Sequence, residues 1–172
     1  MTTLIKGRAL VTDTWRTLAA DAANAADVSD TGDLIVPLSL WLAQHTALRT
    51  RGGRTGVWLQ PSENPAELIE AAPLPELIAV HFPVFHDGRG YSIARLLRER
   101  YAFRGELRAI GDVLRDQLFE LARCGFDAFE LRADQDAHAA LNAFHDFSEV
   151  YQAATDRGPL FERRFAAPVS AA

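Results

Sequence analysis

From Gly56 to Phe147 the chain repeats one unit four times: a short apolar run, a turn, then a segment whose apolar residues recur at helical spacing. Strands are predicted at 57–60, 77–83, 107–111 and 126–131, and helices at 64–72, 91–101, 113–124 and 135–147. Ile93, Leu96 and Leu97 form the buried stripe of the second helix, and Gly125 closes the third as a C-terminal glycine. Strands joined through helices run parallel and need right-handed crossovers, which excludes an all-β meander and a helical bundle. The expected fold class is α/β, with consecutive βα units and a mainly parallel sheet, either a half-barrel or an open sheet, behind an N-terminal extension.

The flanks are less regular. Residues 8–11 and 15–18 flank Thr12-Asp13, which suggests a short hairpin, and the Ala/Asp-rich stretch 19–33 reads as an exposed loop or short helix. Leu38, Leu42, Ala43 and Leu48 recur near helical spacing, and the basic turn RTRGGRTG at 49–56 ends that helix. The division is therefore 1–53 as an extension packing on the core, 54–148 as the βα-repeat core, and 149–172 as a C-terminal arm. PLFERRF is a possible last strand in that arm, and the last residues are floppy. Strand edges and Phe126, Phe129 and Phe144, short of cover in such a core, predict a homodimer.

Composition narrows the function classes. At 172 residues and 48% hydrophobic the chain can bury a core without disulfides or metal. Its formal charge is -5, from 23 acidic and 18 basic residues, so it is a poor general nucleic-acid binder, and any bound anion must meet a local Arg cluster. Lys6 is the only lysine. Cys124 is the only cysteine, which rules out an intrachain disulfide, a CxxC redox pair and a thiolate metal site. No His pair has ligand spacing and no GxGxxG or P-loop occurs, so no metal or cofactor is expected. With no leader-like start and no run near the roughly 20 apolar residues of a membrane helix, a cytoplasmic protein is expected.

Three constellations can carry chemistry. The loop His86–Ser92 opens a helix with Gly88 and Gly90, and there Arg89, Tyr91, Ser92 and Arg95 are anion-binding candidates, with a plain tight turn as the alternative. Strand alternation sets His81, Arg108, Glu130 and Arg132 apart from their apolar neighbours. On one face they form a charged strip near the strand C-termini, where α/β folds bind ligands; alternatively Arg108 and Glu130 are a buried pair that fixes register. Asp112 stands where a barrel enzyme places an acid or base, or else caps the next helix. His81, Arg108, Asp112 and Glu130 are thus the catalytic candidates. If neighbouring βα units present Arg89 and Arg108 to one crevice, the two grip the same anion.

The segment DGRGYSIARLLRERYAFRGELRAIGDVLRDQLFELARCGFDAFELR, residues 87–132, resembles the core of a bacterial domain family of unknown function. The likeness extends more loosely from residue 33 through the tail. Members of that family are commonly labelled as oxidoreductases of sulfite reduction, because their genes lie beside those of assimilatory sulfite reductase and phosphoadenosine phosphosulfate reductase. The resemblance therefore implies a place in sulfur assimilation, and it brings no catalytic residues with it. The chain has no motif that would hold electrons, and sulfite reduction to sulfide needs a metal cofactor it cannot ligate. The expected role is an accessory protein, a sulfite reductase partner or a binder of a small oxyanion such as sulfite or sulfate. An enzyme acting on a small anionic metabolite at the strand C-termini is the alternative.

Overall fold

The computed structural model describes residues 3–21, 31–71, 73–159 and 162. Its strands are β1 (Thr3–Lys6), β2 (Ala9–Thr12), β3 (Trp15–Thr17), β4 (Asp33–Pro37), β5 (Thr55–Leu59), β6 (Leu77–Phe82), β7 (Glu106–Gly111) and β8 (Ala128–Phe129). Its α-helices are α1 (Leu38–Thr50), α2 (Pro65–Glu70), α3 (Arg89–Arg95), α4 (Leu118–Arg123) and α5 (Ala137–Ala140). The strands form one sheet in the order β2-β1-β8-β7-β6-β5-β4-β3.

From β3 to β8 each strand lies parallel to the next in sequence. Every crossover therefore steps in the same direction, and right-handed crossovers that all step one way leave all their helices on one face. The packing agrees. Val57, Leu59, Ile78, Val80, Phe82, Leu107, Ala109 and Phe129 share a core with residues of all five helices. The alternate strand positions Ile35, Trp58, Leu77, Ala79 and Ile110 form a second cluster with no helical member.

The sheet is mixed, which corrects the expectation of a mainly parallel one: β1 pairs antiparallel with both β2 and β8. The hairpin is also placed differently from the sequence reading. It joins β1 to β2 through Gly7 and Arg8, both at positive φ, the backbone a two-residue hairpin turn requires. Residues 8–11 and 15–18 do not pair, because β2 and β3 are the two opposite edges of the sheet.

That connection fixes the overall shape. Eight strands laid flat at about 4.8 Å spacing would hold the edges roughly 34 Å apart. Only Asp13 and Thr14 link β2 to β3, and such a link spans at most about 11 Å. The sheet therefore curls, as a half-barrel with helices outside and the helix-free face inside.

Other elements differ in detail. A 3-10 turn, Arg115–Gln117, precedes α4, so Asp112 does not cap it. Asp136 caps α5, which continues as the 3-10 turn Leu141–His145. Phe126, Phe129 and Phe144 are buried within the chain's own core, so these rings do not call for a second copy. Most of the 19–33 stretch and most of PLFERRF lie outside the described residues.

Candidate functional site

The inside of the curl is charged. Arg108, on the middle of β7, is only 1% exposed. Its Nη1 lies 2.9 Å from Asp13 Oδ2, its Nη2 lies 2.7 Å from Glu106 Oε1, and its Nε donates to the same oxygen at 2.8 Å. Lys6 Nζ, from β1, reaches the other Glu106 oxygen at 2.7 Å. A guanidinium taken from water needs such partners, and these satisfy it. Asp13 belongs to the link between the two sheet edges, so Arg108 ties that link to the middle of the sheet and holds the curl. Glu130, at the end of β8, faces the same network: burial raises its carboxyl above the ordinary value, with Arg108 opposing the shift.

One step nearer the strand C-termini, the inner side chains of β6 and β7 are uncharged at neutral pH. His81 on β6 is level with Ile110 on β7. The His81 ring stands edge-on to Trp58, centroids 5.6 Å apart, and burial pushes its pKa down, so the imidazole is held neutral. Trp58 Nε1 donates to the Leu18 carbonyl at 3.0 Å, so the indole nitrogen is already used. Gly111 makes room for the ring. At φ +96°, an added Cβ would sit 2.5 Å from the Phe82 carbonyl oxygen and 2.8 Å from His81 Cδ2.

The loop before α3 is satisfied from within. Asp87 accepts two bonds from the Arg89 side chain, at 2.9 and 2.6 Å, which hold its carboxyl at about 2. Arg95 pairs with Glu99 one turn on. The Tyr91 ring packs edge-on against Phe82 at 5.6 Å, and burial raises its pKa; Ser92 is exposed on α3. Gly90 is required for packing, since a Cβ there would meet the Phe82 ring at 2.5 Å. Arg89 and Arg108 are not brought together, because Arg89 is exposed at the start of a helix on the outer face and Arg108 is buried on the inner one. Asp112 instead joins three loops at the strand C-termini. Its oxygens accept from the Phe85 amide at 2.9 Å and from Arg132 Nη1 at 2.7 Å, while Arg132 also grips Asp134. Arg132 therefore lies beyond the strip, leaving His81, Arg108 and Glu130 on the inner face.

A further site was not legible from sequence. A cavity of about 540 Å³ opens between α4, the 141–145 turn and the β1–β2 turn, and Arg8, Arg123, His145 and Arg157 line it. Phe119, Phe144 and Phe147 form its apolar wall. The Nε–H groups of Arg123 and Arg157 are buried and donate to no acceptor; Asp156 lies 3.9 and 3.5 Å from them, an attraction of charge without hydrogen-bond geometry. Arg123 also reaches Glu120 and the Gln152 carbonyl. These residues come from four separate stretches, so no spacing could have flagged them. Cys124 is half-buried outside that lining, and burial pushes its thiol pKa up, which leaves it a weak nucleophile.

Among the described residues, no three His, Cys, Asp or Glu side chains are grouped to hold a metal ion, and no helix is long and apolar enough to cross a membrane. A family model described as a bacterial protein of unknown function (DUF934) matches residues 56–161. No curated protein and no solved structure matches the chain.

Proposed function

The chain belongs to the bacterial family of unknown function DUF934, and on that premise we propose that it is an accessory protein of assimilatory sulfite reduction that binds a small oxyanion, sulfite or sulfate, beside Arg8, Arg123 and Arg157. The sulfur assignment comes from the family resemblance in residues 87–132. The oxyanion assignment rests on one observation, the two buried guanidinium Nε atoms without acceptors in the same cavity. A buried N–H without an acceptor carries a desolvation penalty, and an oxyanion supplies the missing acceptors together with opposite charge. Glu120 and Asp156 offset part of the cationic charge and leave room for one small anion. A bound anion here would be available for transfer to a partner such as sulfite reductase.

The reading as an enzyme on an anionic metabolite at the strand C-termini has less support. Arg108 there is committed to two carboxylates, Arg132 is paired with Asp112 and Asp134, and Arg115 with Asp146.

Calorimetric titration with sulfite and sulfate tests the proposal. A charge-assisted contact is worth about 1.5–3 kcal/mol, so Arg157→Ala and Arg8→Asn should each weaken binding roughly 10- to 100-fold. Asn tolerates the positive φ at position 8, which keeps the turn intact. Failure of the wild type to bind either ion, or variants indistinguishable from it, overturns the anion site. Co-elution with sulfite reductase in the presence and absence of sulfite tests the accessory role separately.

A further inference from the structure

Beside the two guanidinium atoms, two other buried side-chain nitrogens among the described residues have no hydrogen-bond partner: Trp41 Nε1 and His81 Nδ1. Trp41 borders a small cavity of about 200 Å³ between α1 and residues 73–76, whereas His81 lines a larger one, about 380 Å³, at the C-terminal mouth of the curl. Trp58, His81 and Ile110 line one side of it and Thr17, Leu18 and Ala20 the other, with Gln60 at the rim. We infer that this mouth binds a small, uncharged, planar molecule through an amide-type edge, a hydrogen-bond donor beside an acceptor, held by His81 and Gln60 against Trp58.

The charge of the ligand follows from the lining. No side chain there carries a full charge, the imidazole being held neutral, and the ionised groups deeper in the curl already neutralise one another. A charged ligand would lose its hydration without gaining a counter-charge. Its hydrogen-bonding pattern follows from what is left open. Trp58 Nε1 is taken by the Leu18 carbonyl, so the indole offers only ring surface. His81 Nδ1 is unpartnered, and a neutral imidazole nitrogen either accepts or donates according to its tautomer. The half-buried Gln60 side-chain amide carries both donor and acceptor groups.

Position and size agree with this assignment. Gln60, His81 and Ile110 stand at or just past the C-terminal ends of β5, β6 and β7, and residues 18–20 follow β3, the end at which βα folds bind ligands. The volume lies within the roughly 300–1,000 Å³ of small-molecule sites. The site does not depend on the anion cavity, which lies on the helix side of the sheet among α4 residues.

Saturation-transfer NMR on the full chain with nicotinamide and uracil as uncharged probes, and nicotinate as the charged counterpart, decides the matter. The expected result is saturable binding of at least one uncharged probe, at least tenfold weaker binding of nicotinate, and loss of saturation in both His81→Phe and Ala20→Trp. Ala20 is exposed, so the indole introduced there blocks the mouth without disturbing the core and keeps the test decisive if His81→Phe fails to fold. The inference is overturned if the wild type binds neither uncharged probe, if nicotinate binds as well as nicotinamide, or if binding survives Ala20→Trp.

Discussion

The two faces of the sheet are built from the same strands and held by different physics. On the helix side, Val80, Leu107, Ala109 and Phe129 pack into one apolar core with the helices. On the inner side, one residue along from each, stand His81, Arg108 and Glu130, around a small apolar cluster that includes Trp58 and Ile110. The outer face is buried by helices that the sequence supplies in alternation. The inner face is buried because the sheet curls over it, and the curl is held by an ion network that reaches the link between the sheet edges. The comparison shows how one strand can stabilise a core with one half of its side chains and shape a site with the other.

Adjacent residues of β7 put that difference to its hardest test. Arg108→Ala would leave Asp13 and Glu106 buried without their partner, a loss of about 3–5 kcal/mol. Adding Asp13→Asn and Glu106→Gln should recover much of it, because the stranded charges are then gone. Leu107→Ala, facing the helices, should cost about 2–5 kcal/mol through lost burial, and no change of charge on the inner face should recover it. Urea denaturation of the four proteins measures both effects. An Arg108→Ala cost under about 1 kcal/mol, or a triple variant no better than the single one, would remove the network from the account of the curl.

A smaller effect is expected at Gly111, where the mouth meets the backbone. Gly111→Ala forces a Cβ against the Phe82 carbonyl and the His81 ring at φ +96°, for a strain of about 1–3 kcal/mol. Thermal unfolding reads the stability, and the His81 ring resonances should shift in the same variant. Unmoved resonances would mean that the glycine serves the turn and not the histidine.

The smallest effect is a change of slope with pH. Because burial raises the Glu130 carboxyl, there is a window above its ordinary value in which the folded chain keeps a proton that the unfolded chain has released. Stability contributed by that group falls as pH rises through the window. His81 has the opposite sign: its lowered pKa makes stability rise with pH below its ordinary value, equally in both proteins. Subtracting the wild-type profile from that of Glu130→Gln isolates Glu130, and the variant should gain on the wild type as pH rises from about 4.5. Parallel profiles would show that Arg108 already cancels the cost of burying Glu130.

The repeating units were legible because each part of the signal is local. Apolar runs at 57–59 and 77–82 stop at turn residues, and helical spacing follows. The polar exceptions on the strands were legible too, since alternation alone sets Arg108 apart from Leu107 and Ala109 and places it with Glu130. What Arg108 does there was not legible, because its partner Asp13 is 95 residues away in sequence. The hairpin was misplaced by a few residues for a similar reason. Thr12-Asp13 read as the turn, and only the antiparallel pairing of β1 with β2 shows that the chain folds back at Gly7-Arg8.

By itself, then, the sequence determined the α/β class, the succession of βα units and the charged minority on the inner face, all set by contacts within a few residues along the chain. The tertiary structure alone decided that β1 enters beside β8 in antiparallel sense, that a two-residue link draws the sheet edges together, and that residues near 8, 123, 145 and 157 meet in one cationic cavity. The physical reason is range: secondary structure answers to local periodicity and turn chemistry, whereas curvature and cavities depend on which distant side chains a closing sheet brings face to face.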